Sequence, residues 1–242
     1  MSGLDVELED KNAVGGLDRL VTNLGLAAIA VLPTLAAAIA TPWKLAPLVA
    51  ADEPDGQRGM LLTPGAFLPM GLTVVLLLAA MVTTSETVAS NGGAIGPGLA
   101  VAVAAAAGEG DLWKTLSLIA PIYFLAVSIA VLAQLLRRPA GDWWTMRTSL
   151  RAAFYQVGAT VCWIILTSAA IDAYRVSTGN SEMGNLLYRL NSIPIFLLTL
   201  WVYFWFFRHG ASASYRRSAV LALAMLALSA ALILGVNWVL GS

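Results

Sequence analysis

With 242 residues the chain has the length of one ordinary domain, but 59% of them are hydrophobic and only 12% are charged. Soluble domains hold 45–50% apolar and about a quarter charged residues, so this composition argues against a water-soluble fold. Fourteen basic and fourteen acidic residues cancel, which leaves no global field to attract nucleic acid. One cysteine, Cys162, and one histidine, His209, exclude an internal disulfide and the clustered ligands of zinc or haem sites. No metal or cofactor is expected.

Met1 to Arg19 carries Asp5, Glu7, Glu9, Asp10 and Asp18 against Lys11 and Arg19. A secretory signal has a basic start followed directly by a short apolar core, so this stretch does not read as one. The next run, Leu20 to Thr41, is apolar and interrupted by Pro33. The stretch from Thr41 to Leu48 that follows reads as an amphipathic piece at a membrane surface. Residues 1–60 are therefore expected to form a cytoplasmic segment with an apolar interfacial or re-entrant helix.

Residues 61–242 hold five runs near the roughly 20 residues that cross the hydrocarbon core as a helix. They are Leu61 to Val82, Thr115 to Leu136, Leu150 to Ile171, Leu186 to Phe207 and Ser218 to Leu240. Arg151 and Arg189 lie near run ends, where long side chains reach the interface. The connection from Thr83 to Trp113 is rich in turn formers in its first half. Its second half, Leu99 to Ala107, reads as a short surface helix. Pro64, Pro69, Pro121 and Pro194 fall in or at the start of runs and read as kinks for packing.

Cytoplasmic loops are enriched in Lys and Arg. With five spans the basic residues divide eleven against three, leaving only Lys114, Arg175 and Arg189 outside. If Leu20 to Thr41 also spans, the division is nine against five. The rule favours an all-α bundle of five transmembrane spans, six being the alternative, with a cytoplasmic N-terminus. Trp43, Trp143, Trp144, Trp201 and Trp205 fall at the cytoplasmic ends, and Trp113 and Trp238 at the outer ends, as interfacial rings should.

Two constellations are candidates for function. Glu86, Asp172 and Asn237 form a candidate polar site near the outer surface. Asp172 and Arg175, three apart, can pair on one helical face, although a solvated helix end is the commoner explanation for such residues. On the opposite side, Arg137, Arg138, Trp143, Trp144, Arg147 and Arg151 combine charge and interfacial rings in a candidate docking surface. Arg208, His209, Arg216 and Arg217 make a second basic turn. No phosphate-binding loop or nucleophile elbow occurs, so no enzymatic activity is expected.

The layout resembles the Yip family of five-span membrane proteins, whose eukaryotic members interact with Rab GTPases. The resemblance rests on a cytoplasmic segment ending in a surface helix and on spans opening with Leu62-Thr63-Pro64-Gly65-Ala66-Phe67-Leu68 and Leu150-Arg151-Ala152-Ala153-Phe154-Tyr155-Gln156-Val157-Gly158. The stretch Gly108-Glu109-Gly110-Asp111-Leu112-Trp113-Lys114 adds to it. It implies a bacterial inner-membrane adaptor whose partners are the bilayer and a membrane or cytoplasmic protein. A small permease or ion-coupled transporter, and an accessory subunit of a membrane enzyme complex, are the competing expectations.

Overall fold

A computed structural model describes residues 25–26, 28–50, 61–82, 112–210 and 214–241, and among them there is no strand. The helices are α1 (Ala28–Ala40), α2 (Ala46–Ala50), α3 (Pro64–Val82), α4 (Leu112–Ala133), α5 (Arg137–Ala140), α6 (Met146–Thr178), α7 (Ser181–Gly210) and α8 (Tyr215–Gly241). Each of the five apolar runs falls on one of α3, α4, α6, α7 and α8. Four stretches are long and apolar enough to cross a membrane: Ala120–Ala140, Met146–Arg175, Ser181–His209 and Tyr215–Leu232. The bent N-terminal pair raises the number to five if it is one broken span. The apolar part of α3, Pro64–Leu76, is shorter than these.

Helix α6 is the hub, with half of its apolar length buried and α3, α4 and α7 packed around it. Its start is capped by Thr145, whose hydroxyl accepts from the Thr148 amide at 3.2 Å, satisfying one of the orphan donors of the first turn. Its end closes on Gly179 in the left-handed region, with the Gly179 amide donating to Arg175 O. Asn180 then starts α7 at once, its Oδ1 accepting from the Met183 amide at 3.0 Å. Two residues thus reverse the chain, and α7 returns antiparallel along α6.

The directions of the other helices follow from their contacts. Phe67 meets Tyr155 at 5.8 Å between ring centroids, and Gly71 lies against the Cys162 sulfur, so α3 and α6 run parallel. Tyr123 meets Phe154 and Gln134 donates to Ser149 Oγ, so α4 is antiparallel to α6. The α3–α6 seam is close because Gly158 carries no side chain. A Cβ there would stand 3.0 Å from the Phe67 ring and 3.6 Å from the Leu68 Cα, the small-residue contact that lets membrane helices approach.

The N-terminal region departs from the expected break at Pro33. The helix continues through Pro33 and turns by 117° between Ala28–Ala40 and Pro42–Ala50. The hinge is Thr41, at φ −139° and ψ 54°, because the proline after it disfavours helical geometry at the preceding residue. The segment beyond the hinge is two-faced, with Lys44, Pro47 and Ala50 exposed. Leu45, Ala46, Leu48 and Val49 are all buried, and α2 packs on α7 and α6.

Candidate functional site

The basic end of the bundle is where the N-terminus of α6, the C-terminus of α7 and the N-terminus of α8 meet. Trp144 is fully buried there. Its ring lies 4.7 Å from Phe207 and 5.0 Å from Trp143, and its Nε1 donates to Ala133 O at 3.0 Å. That bond adds a side-chain donor to a carbonyl where α4 tightens into the 3-10 turn Gln134–Leu136. Trp143 is half-buried and donates from Nε1 to Ala140 O at 3.0 Å. Arg217, at the start of α8, donates to Pro139 O from Nε at 2.8 Å and also from Nη2. The corner that presents the arginines is therefore braced by three helices.

The expected docking residues separate on this scaffold. Arg137, Arg138 and Arg147 are exposed and Arg151 is half-buried. Trp144 is not part of any presented face: it is an anchor beneath the arginines, with nothing of its ring at the surface. A second cluster stands on the same end. Arg208 lies over the Tyr215 ring at 4.7 Å, and Trp43 packs on Trp205 at 4.9 Å, which places exposed Lys44 nearby.

At the opposite end Asp172 is fully buried, not a solvated helix terminus. Its Oδ1 is 3.7 Å from Arg175 Nη1, with Arg175 itself 13% exposed. Neither carboxylate oxygen, nor Arg175 Nε or Nη1, has a hydrogen-bond partner among the described residues. Gly184 on α7 makes the room, since a Cβ there would overlap Cγ and Cδ of Arg175. Glu86 lies outside the described residues. Asn237 falls on α8, and its side chain also lies outside them, so the three acidic and amide candidates are not shown as one site.

Asp172 instead terminates a line of uncharged polar groups along the α6–α7 seam. Gln156 Nε2 donates to Thr160 Oγ1 at 3.2 Å and to Thr199 Oγ1 at 3.1 Å. Trp163 Nε1 donates to Asn191 Oδ1 at 3.1 Å, and Asn191 Nδ2 to Thr167 Oγ1 at 2.7 Å. Tyr188 donates to Ser168 O at 3.3 Å. The spacing 156, 160, 163, 167 keeps these side chains on one face of α6. Thr167 and Ser168 stand out in the sequence as polar lining for a transporter cavity, whereas Gln156, Thr160, Asn191 and Thr199 carry no charge to mark them, although the three-and-four spacing on α6 is present in the chain.

No group of three or more metal-binding side chains occurs among the described residues. No protein-family model, curated protein or solved structure matches the chain.

An apolar groove of about 670 Å³ completes the site features. It runs between α1, α7 and α8, with Trp163 of α6 at its floor and Ile39, Trp201, Phe204 and Leu223 among its walls. Trp201 Nε1 donates to Ile39 O at 3.0 Å, which pins the end of α1 to α7 as one wall.

Proposed function

We propose that this chain is a non-catalytic multi-pass protein of the bacterial inner membrane, a Yip-like adaptor or scaffold acting through protein or lipid contacts. In this reading α3, α4, α6, α7 and α8 are five alternating crossings, and α1 and α2 form a re-entrant hairpin on the cytoplasmic side. The observation that carries it is the braced basic corner: Arg137, Arg138 and Arg147 exposed above the buried Trp144 anchor. Each basic residue near an anionic leaflet contributes about 1 kcal/mol of attraction, and a corner held by three helices presents those charges from an ordered backbone, which lowers the ordering cost at binding.

The test is recovery of copurifying chains from native membranes in mild detergent. Replacing Arg137, Arg138 and Arg147 together with glutamine should lower recovery of the partner by about tenfold or more, through lost charge complementarity across the interface. Asp172→Asn combined with Arg175→Met, which removes the enclosed pair together, should leave it unchanged. Undiminished recovery from the triple variant rejects the adaptor reading.

The buried Asp172–Arg175 pair favours a second reading, an ion-coupled permease, because ionisable groups enclosed at membrane depth usually mark ion or proton paths. That reading expects proton flux into proteoliposomes that disappears in Asp172→Asn. Equal flux from wild type and variant removes it.

A further inference from the structure

The groove between α1, α7 and α8 has a chemical polarity along its length. On α7, Leu197, Trp201, Phe204 and Arg208 follow one another at intervals of four, three and four, so they lie on one helical face. On α8, Arg216, Ala219 and Leu223 are spaced three and four apart and share a face in the same way. Both walls therefore run from apolar side chains to an arginine, and both arginines stand at the basic end. The lined length from Pro194 to Phe204 on α7 is about 15 Å at the helical rise.

Its mouth faces sideways, since Leu197 and Leu223 are 59% and 54% exposed. A chain with several membrane-length helices turns such flanks toward lipid. Arg208 on this rim is held by Tyr215, whose ring lies 4.7 Å from the guanidinium and 6.2 Å from the Phe204 ring between centroids. A guanidinium lying over a ring keeps its N–H edges available for bidentate bonding to a phosphate. Of the three acidic residues described, Asp172 and Glu182 are at the far end of the bundle, and Asp142 is in the α5–α6 connection. The rim is thus positive and unopposed by any carboxylate of α7 or α8 at that end.

We infer that the groove holds one anionic phospholipid, an acyl chain along Pro194 to Phe204 and its phosphate between Arg208 and Arg216. The volume suits a single bound chain, within the 300–1,000 Å³ of small-molecule sites. The assignment rests on the proposed reading in one respect: the basic end must lie at the headgroup level of the bilayer. It does not need a protein partner.

The test is native mass spectrometry of the full chain, purified in a non-ionic detergent and stripped of lipid. Phosphatidylglycerol and phosphatidylcholine of identical acyl chains are added separately. One phosphatidylglycerol per chain should be retained, about tenfold more tightly than phosphatidylcholine, whose phosphate is the same but whose choline ammonium cancels the net charge and is repelled by the two arginines. Arg208→Gln with Arg216→Gln should bring phosphatidylglycerol down to the phosphatidylcholine level. Leu223→Trp, a substitution at an exposed position that fills the groove, should abolish retention of both. Leu197→Trp serves the same purpose if Leu223→Trp does not fold, as judged by size exclusion and helical circular dichroism. Excess inorganic phosphate should not release the lipid.

Equal retention of the two lipids by wild type, persistence in the groove-filling variants, or release by phosphate alone each overturns the inference. The Arg137, Arg138 and Arg147 triple variant separates the two proposals. It should keep the bound lipid, so loss of partner recovery with intact lipid retention supports both, and intact recovery with intact retention rejects the adaptor reading alone.

Discussion

Trp144→Ala is expected to lower the stability of the bundle by about 3–5 kcal/mol, the cost of emptying a buried aromatic site. The side chain has no exposed surface, touches Phe207 and Trp143, and supplies the donor for Ala133 O. Truncation therefore opens a cavity where three helices meet and also removes the indole donor from Ala133 O. Trp144→Phe should lose less, about 1–3 kcal/mol, since it keeps one ring in place but removes the hydrogen bond and leaves a smaller cavity. Trp143→Ala, at a half-buried position, should fall between them. Chemical unfolding in detergent micelles, followed by loss of tryptophan emission shift, orders the three variants. An alanine at 144 no more harmful than one at 143 would refute the anchor role.

Arg175→Met is expected to destabilise the α6–α7 hairpin by about 3–5 kcal/mol, because it leaves the enclosed Asp172 charge without its counter-ion. The pair is long, 3.7 Å, and its remaining donors and acceptors are unmet among the described residues, so its net worth is small. Removing both charges together is accordingly a different experiment from removing one. Asp172→Asn combined with Arg175→Met should recover most of the loss, giving strong non-additivity in a double-mutant cycle. The same unfolding assay reads it. Additive losses would mean that the two side chains stabilise the hairpin through separate contacts.

The helices themselves were plain in the chain because apolar runs of membrane length leave the backbone little choice but helix. The basic end was equally plain: charge placement alone grouped Arg137, Arg138, Arg147, Arg208, Arg216 and Arg217. What periodicity does not carry is which helix touches which. Nothing in Leu61 to Val82 says that Phe67 seeks Tyr155 and Gly158 across some ninety intervening residues. Trp144 looked like an interfacial ring because neighbouring tryptophans on a loop usually are. Only the approach of Phe207 from α7 makes it a core residue. At Thr41 the local signal was present and misplaced. Pro33 sits inside a helix whose neighbours tolerate it, whereas Pro42 acts on the residue before it and sets the bend. Asp172 paired with Arg175 as its spacing allowed, but its enclosure depends on Gly184 and Tyr188 from the next helix.

The parallel seam between α3 and α6 has a consequence for biosynthesis. During translation α3 emerges long before the face of α6 that Phe67, Leu68 and Gly71 fit has been made. Its Phe67, Leu68 and Gly71 surface must stay uncovered by α6 until then. Because α6 also gathers α4 and α7, assembly should stay incomplete until the chain has passed residue 178. Nascent chains halted before that point are then the ones quality-control proteases should find open to cleavage.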